Sequence, residues 1–174
     1  MTRVRAAALG ALAVVVALSL FLATRHPVGD AASAPSPLLG KAAPAFAADG
    51  LTGGRFSLRA QRGRVVVVTF WASWCAPCAA EAPELSTFAW RERGRPVTLV
   101  GVVFNDALSA ARAFNAHYGS LYRSVVDPGG AIANAYGVTS PPTTFVIDPR
   151  GRVTAELLGP VSAAQLEDFV RSAQ

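Results

Sequence analysis

The sequence predicts an α/β fold in which a mixed central sheet is flanked by helices. Three observations carry that prediction. Val65-Val66-Val67-Val68-Thr69-Phe70 is a continuous β-branched and aromatic run, fit for a strand buried on both faces, and a helical stretch follows it directly. Strand-like and helix-like segments then alternate as far as Tyr136. Last come two strand patterns around a tight turn, and a capped helix.

Taken in order, Ala6 to Ala23 is an unbroken run without charge. Eighteen residues of helix span about 27 Å, close to the hydrocarbon thickness of a bilayer. Arg3 and Arg5 precede the run, which keeps the N-terminus cytoplasmic and exports the downstream chain. Residues 1–24 are therefore read as a signal-anchor and transmembrane helix. The rival is a cleaved signal peptide, with Ala32-Ser33-Ala34 as a small-residue cleavage site. No cysteine follows the run closely, which excludes a lipoprotein anchor. Residues 25–38, rich in Ala, Pro, Ser and Gly, read as a flexible linker, and 39–174 as one domain.

Within the domain, Val65 to Phe70 is the first buried strand. Cys75 to Arg93 is a helix interrupted by Pro83 and ended by Gly94. Val97 to Phe104 is a second buried strand. Leu108 to Tyr118 is an amphipathic helix with Leu108, Ala111 and Phe114 on one face. Asn105-Asp106 just before it reads as its cap. Arg123 to Val126 is a short strand closed by Asp127-Pro128-Gly129-Gly130, and Ile132 to Tyr136 a short helix. Thr143 to Ile147 and Arg152 to Leu158 form a hairpin about Asp148-Pro149-Arg150-Gly151. Ser162-Ala163-Ala164-Gln165 is a capping box opening the last helix, Ala163 to Arg171. Trp71 and Phe70 are expected to pack under the active site that the following turn forms. Phe114, Tyr118 and Phe169 read as core; Trp90 is left open between core and surface.

Chemistry concentrates at Trp74-Cys75-Ala76-Pro77-Cys78, which holds the only two cysteines among 174 residues. Disulfide exchange needs one thiolate that attacks and a second thiol that resolves the mixed disulfide. Two intervening residues at a helix start let both sulfurs lie on one side. Cys75 then sits where unpaired N–H groups and the positive end of the helix dipole point, which holds its thiol below the free value of about 8.5. Cys78, almost a turn further in, is expected to be more shielded. Cys75 is thus the nucleophile and Cys78 the resolving thiol. Pro77, without an N–H, suits the first turn. Trp74 offers a flat apolar lip. A purely structural disulfide is the rival. A zinc site needs about four ligands, and His26 and His117 stand in no matching arrangement. Haem attachment wants His where Ala79 stands.

With its neighbours, the segment resembles the thioredoxin superfamily. Phe70 to Cys78 looks like the active-site strand and turn, Pro83 matches the proline of the active-site helix, and Gly137 to Asp148 resembles the segment carrying the cis-proline. The resemblance implies that Pro142 is the cis residue and Pro141 the one before it, with the backbone of Pro141 beside the cysteines, where a substrate chain adds as a strand; the alternative for Pro142 is a plain loop proline before a strand. The chain is more similar still to the membrane-anchored, extracytoplasmic TlpA/ResA/CcmG-like proteins of cytochrome c biogenesis. Cys78-Ala79-Ala80-Glu81-Ala82-Pro83 carries their acid-then-proline spacing. Leu39 to Phe46, followed by Gly53 to Leu58, looks like their redoxin-type N-terminal β-hairpin extension. One departure stands out: the buried Asp of cytosolic thioredoxins corresponds here to Thr69, which takes no proton at neutral pH. Glu81 is the better candidate for assisting Cys78, as the resemblance also implies. A half-buried Glu there has a raised pKa and shuttles the resolving thiol's proton. The alternative for Glu81 is a solvated surface acid.

The expected activity is protein thiol–disulfide oxidoreduction at the cell membrane, the domain on the extracytoplasmic side, or secreted if the leader is cleaved. The cysteine pair is itself the redox centre; no haem, flavin or metal site is visible. The resemblance implies a reductase acting on apocytochrome c or similar exported proteins, fed by a membrane thiol transporter. An exported disulfide-forming oxidase is the nearest alternative. A thiol peroxidase needs Thr or Ser where Ala72 stands, and fold-related copper-binding modules favour C-x-x-x-C. Lys+Arg 16 against Asp+Glu 11 gives a formal +5, without a basic stripe interleaved with aromatics, so no nucleic-acid partner is expected.

Overall fold

A computed structural model describes residues 14–17, 19, 32–33 and 36–174. The expected membrane-spanning stretch, 6–23, lies outside these apart from 14–17 and 19, which are helical. Among the described residues no helix is long and apolar enough to cross a membrane.

The strands are β1 (Ala32–Ser33), β2 (Ala47–Asp49), β3 (Arg55–Ser57), β4 (Val65–Trp71), β5 (Val97–Val103), β6 (Arg123–Val126), β7 (Thr143–Ile147) and β8 (Val153–Leu158). The helices are α1 (Ala76–Arg91), α2 (Leu108–Tyr118), α3 (Ala131–Tyr136) and α4 (Ala163–Ser172). Six strands form the main sheet in the order β1-β8-β7-β4-β5-β6. β4, β5 and β6 are mutually parallel, while β7 runs antiparallel to β4 and β8 to β7. This is the mixed sheet expected from the sequence. β2 and β3 make the separate N-terminal hairpin. Two residues of the expected linker, Ala32–Ser33, instead pair with Leu157 and Leu158 as β1.

β4 is buried along all seven residues, as its position inside the sheet requires. Its alternate side chains serve opposite faces. Val66, Val68 and Phe70 join Phe56, Tyr136 and Phe145 on one side. Val65 and Val67 join Leu85, Phe88 and Leu166 under α1 and α4 on the other. Burying each of the larger side chains contributes roughly 1.5–3 kcal/mol.

Element limits moved where backbone chemistry outweighs composition. The helix expected over Cys75 to Arg93 runs Ala76–Arg91, with Cys75 as N-cap. It continues through Pro83 without a break, although proline removes one intrahelical N–H. Gly94 lies in the turn beyond, at φ +84°. The last helix opens at Ser162, whose Oγ accepts the Gln165 N–H at 3.2 Å. α3 is capped from a distance: Asp127 accepts the N–H groups of Ile132 and Ala133, each at 2.9 Å. On α2, Ala111 is buried but Leu108 is 45% exposed, so the expected apolar face shifts to Ala111 and Phe114.

Candidate active site

β4 ends at Trp71 and the chain turns through Ala72, Ser73 and Trp74 into Cys75. As N-cap, Cys75 has an extended backbone (φ −87°, ψ 103°), and its Sγ accepts the Cys78 N–H at 3.1 Å. The sulfur therefore sits at the positive end of α1, where negative charge is stabilised. Cys75 and Cys78 are joined in a disulfide, Cα atoms 5.2 Å apart. The expected difference in shielding is not found: Cys75 is 4% exposed and Cys78 3%. What distinguishes them is place in the helix. Cys75 is the cap and Cys78 lies inside the first turn.

Beneath the pair lies an apolar floor of Leu51, Trp71, Val103 and Ala111. The Trp71 ring stacks on Phe114 at 4.9 Å and its Nε1 donates to Ser124 Oγ at 3.2 Å. Gly101 on β5 makes room: a Cβ there would stand 2.5 Å from Trp71 Nε1 and 2.6 Å from Ser124 Oγ. Phe70 does not share this floor. It points to the opposite face, against Tyr136 and Phe145, as strand alternation dictates.

The active-site loop is clamped from the end of β5. Phe104 N–H donates to Trp71 O at 2.8 Å. Ser73 N–H donates to Asp106 Oδ2 at 2.6 Å and Ser73 Oγ bonds Asp106 Oδ1 at 3.0 Å. Trp74 Nε1 donates to Asn105 O at 3.1 Å. Asn105 adopts the left-handed region at φ +43°, a conformation Asn tolerates better than most residues. Asn105-Asp106 is thus not a helix cap: the N-cap of α2 is Ala107, with no side-chain bond. The role of Asp106 was missed from sequence. The available signal was an acid at the C-terminal end of the strand next to the one delivering the cysteines.

Glu81 is buried, 2% exposed, so it is no solvated surface acid. Burial pushes its carboxyl up from 4.5 to about 8, against the opposing pull of a hydrogen bond with the Val161 backbone. Its Oε1 has no hydrogen-bond partner among the described residues. The Tyr122 phenol is raised above its ordinary value, first by burial and then by the negative charge of Glu81. Thr69 is fully buried and its hydroxyl is bonded by that of Thr144 at 3.0 Å. That leaves Glu81 as the ionisable carboxyl on the cysteine helix's inner face.

The Pro141-Pro142 bond is cis. Thr143 pairs with Phe70 across the β4–β7 register, so Pro142 comes level with Trp71, where the chain turns toward Cys75. Pro142 is buried and Pro141 half-buried. Trp74 is 56% exposed and tilts toward Phe104, ring centroids 6.5 Å apart. The structure thus gathers Trp74, Cys75, Cys78, Pro141 and Pro142 at one end of the sheet, with Glu81 one turn deeper.

Known proteins are similar to this chain in sequence and fold. The model of the AhpC/TSA family matches residues 39–156. The thiol-disulfide oxidoreductase ResA of Bacillus thuringiensis is 31% identical over 133 residues, 76% of this chain and 77% of that protein. The thiol:disulfide interchange protein DsbE homolog of Paracoccus denitrificans is 36% identical over 136 residues, 76% of this chain and 73% of its own length. Among solved structures, MTB DsbF superposes with a TM-score of 0.69 at 31% identity, covering 74% of this chain and 95% of that one.

Proposed function

From the premise that this chain belongs to the AhpC/TSA family and is a thiol–disulfide oxidoreductase of the ResA/DsbE type, we propose that it reduces disulfides of exported proteins from a tether on the extracytoplasmic face of the membrane. The observation that carries the chemistry is the Cys75 sulfur seated as helix cap and accepting the Cys78 N–H. In the reduced protein, Cys75 thiolate attacks one sulfur of a substrate disulfide. An S–S bond forms to Cys75 and the substrate's other sulfur leaves as a thiolate. Cys78 then gives up its proton and attacks Cys75 Sγ. The second substrate thiolate leaves and the Cys75–Cys78 disulfide closes. Two electrons have passed to the substrate.

Glu81 takes the Cys78 proton in that second step. A carboxyl balanced near pH 8 is matched to a thiol of similar ordinary pKa. Trp74 and the Pro141-Pro142 backbone form the rest of the substrate groove. The pair is its own redox centre and needs no other cofactor. Outside the cytoplasm a lone pair of this kind sits oxidised unless a reductant is supplied. A membrane thiol transporter fits that need, and the resemblance to cytochrome c biogenesis proteins makes apocytochrome c the leading substrate.

The test is a Cys78→Ser trap in cells, combined with alkylation of the wild-type thiols. The expected result is a mixed disulfide between Cys75 and an exported protein, with the wild-type pair mostly reduced. A mostly oxidised pair would overturn the direction in favour of a disulfide-forming oxidase. No trapped partner, or peroxide consumption by the purified protein, would overturn the activity.

A further inference from the structure

The end of the sheet remote from Cys75 carries an unusual charge. β4 and β5 both begin there, β7 ends there and β8 begins there. Arg59, Arg62 and Arg64 precede β4. Arg93 and Arg95 precede β5. Arg150 and Arg152 flank the β7–β8 turn. These cations are contiguous. Arg64 bonds the carbonyls of Arg95 and Val97, at 3.0 and 2.9 Å. Arg62 lies over Gly151, and Arg152 reaches Gly40 O at 2.8 Å beside Lys41. All but Arg64 are exposed. The acids at this pole are already engaged: Glu92 with Arg95 at 3.1 Å, and Asp148 with the Arg152 N–H at 2.8 Å.

Exposed apolar side chains border the same surface. Trp90, on the last turn of α1, is 61% exposed; Leu121, beside Arg93 and Arg95, is 54% exposed; Leu39, bridged to Val153, is 40% exposed. Arginines bordered by exposed Trp and Leu suit the boundary between headgroups and acyl chains, where aromatic rings settle and cations meet lipid phosphate. An acidic protein or a nucleic acid would satisfy the arginines, but would leave Leu39 and Leu121 without an apolar environment.

We propose that this arginine-rich pole rests on an anionic phospholipid surface, turning the cysteine pair away from the bilayer. The proposal rests on the membrane-tethered reading above. Chain reach permits it. β1 sets Ala32 beside Leu158, at the cysteine end of β8, a strand of about 20 Å that the preceding chain must retrace to meet the pole. The eight residues from 24 to 32 span up to about 27 Å, enough to return to the pole.

The experiment uses the full chain in phosphatidylcholine vesicles, with and without about 30% phosphatidylglycerol. An arginine-selective dicarbonyl labels the protein, and peptide mass spectrometry reads each site. Labelling of Arg62, Arg93 and Arg150 is expected to fall about fivefold in the anionic vesicles only, and to recover in about 0.5 M salt. Arg112, on α2 and bonded to Leu51 O beside the cysteine cluster, keeps its rate. Equal labelling in both vesicles overturns the proposal. So does stronger protection by a polyglutamate or a duplex DNA at matched charge. Carbonate extraction of the same vesicles reports separately on the tether: release from the bilayer defeats the tethered reading, whatever the arginines show.

Discussion

Glu81→Gln is the most informative substitution, because glutamine keeps the shape of the protonated carboxyl and removes its titration. Glu81 carries a folded-state value of about 8 against an ordinary 4.5, raised by burial. Between those two values the unfolded chain has released this proton and the native protein still holds it. The unfolded state therefore binds fewer protons, and stability falls as pH rises. Each pH unit in that window costs about 1.4 kcal/mol, so the ceiling is about 5 kcal/mol by pH 8. Below pH 4.5 the effect vanishes; above 8 it stays constant. The assay is denaturant unfolding of the oxidised wild type and variant at several pH values from 4.5 to 8.5. In the disulfide form neither cysteine titrates, and all other groups are common to both proteins, so the difference belongs to Glu81. The variant should match wild type at the acid end and become the more stable by several kcal/mol at the alkaline end. Parallel stability profiles for the two proteins would refute the burial argument and, with it, Glu81 as a proton acceptor tuned to a thiol. In turnover, the variant should lose the limb near pH 8 while the first attack by Cys75 is spared.

Two further outcomes rest on the packing around the site. Asp106→Ala removes the acceptor of both the Ser73 N–H and the Ser73 hydroxyl; hydrogen bonds to a charged group are worth about 1.5–3 kcal/mol, so the melting temperature should fall and alkylation of reduced Cys75 should change rate, whereas unaltered values for both would show that the clamp is dispensable. Gly101→Ala drives a Cβ against the Trp71 indole and the Ser124 hydroxyl, an overpacking cost of roughly 1–3 kcal/mol; altered near-ultraviolet dichroism should accompany it, and an unchanged spectrum and stability would refute the tight contact.

The fold was legible because its strongest signals are local. A buried run such as 65–70 fits a strand with both faces covered, and Ser162 with Gln165 announces a helix start that the structure reproduces. The cysteine pair was legible for the same reason: cap, proline and spacing are neighbours in sequence. What could not be read is what tertiary contact decides. Phe70 and Trp71 are adjacent in sequence, yet they face opposite cores. Asn105-Asp106 has the composition of a helix cap, but Ser73, 33 residues earlier, competes for the carboxylate and takes it. Equal burial of the two sulfurs was also out of reach, since Leu51 from the N-terminal segment and Ala111 from α2 pack against them.

That burial bears on how the site must be used. Cys75 is almost wholly covered in the oxidised protein, while Trp74 beside it is largely open. On the proposed function, a partner meets that sulfur on a chain that settles against Trp74 and the Pro141-Pro142 backbone. The loop carrying Trp74 is held at Trp71 O, Ser73 and the Trp74 indole by residues 104–106, so its geometry is set by the fold. Preformed geometry lowers the ordering cost of binding. Glu81 lies on the buried side of the same helix, α1. On the proposed mechanism the proton of Cys78 passes to Glu81, which is covered and whose carboxyl burial pushes up to about 8.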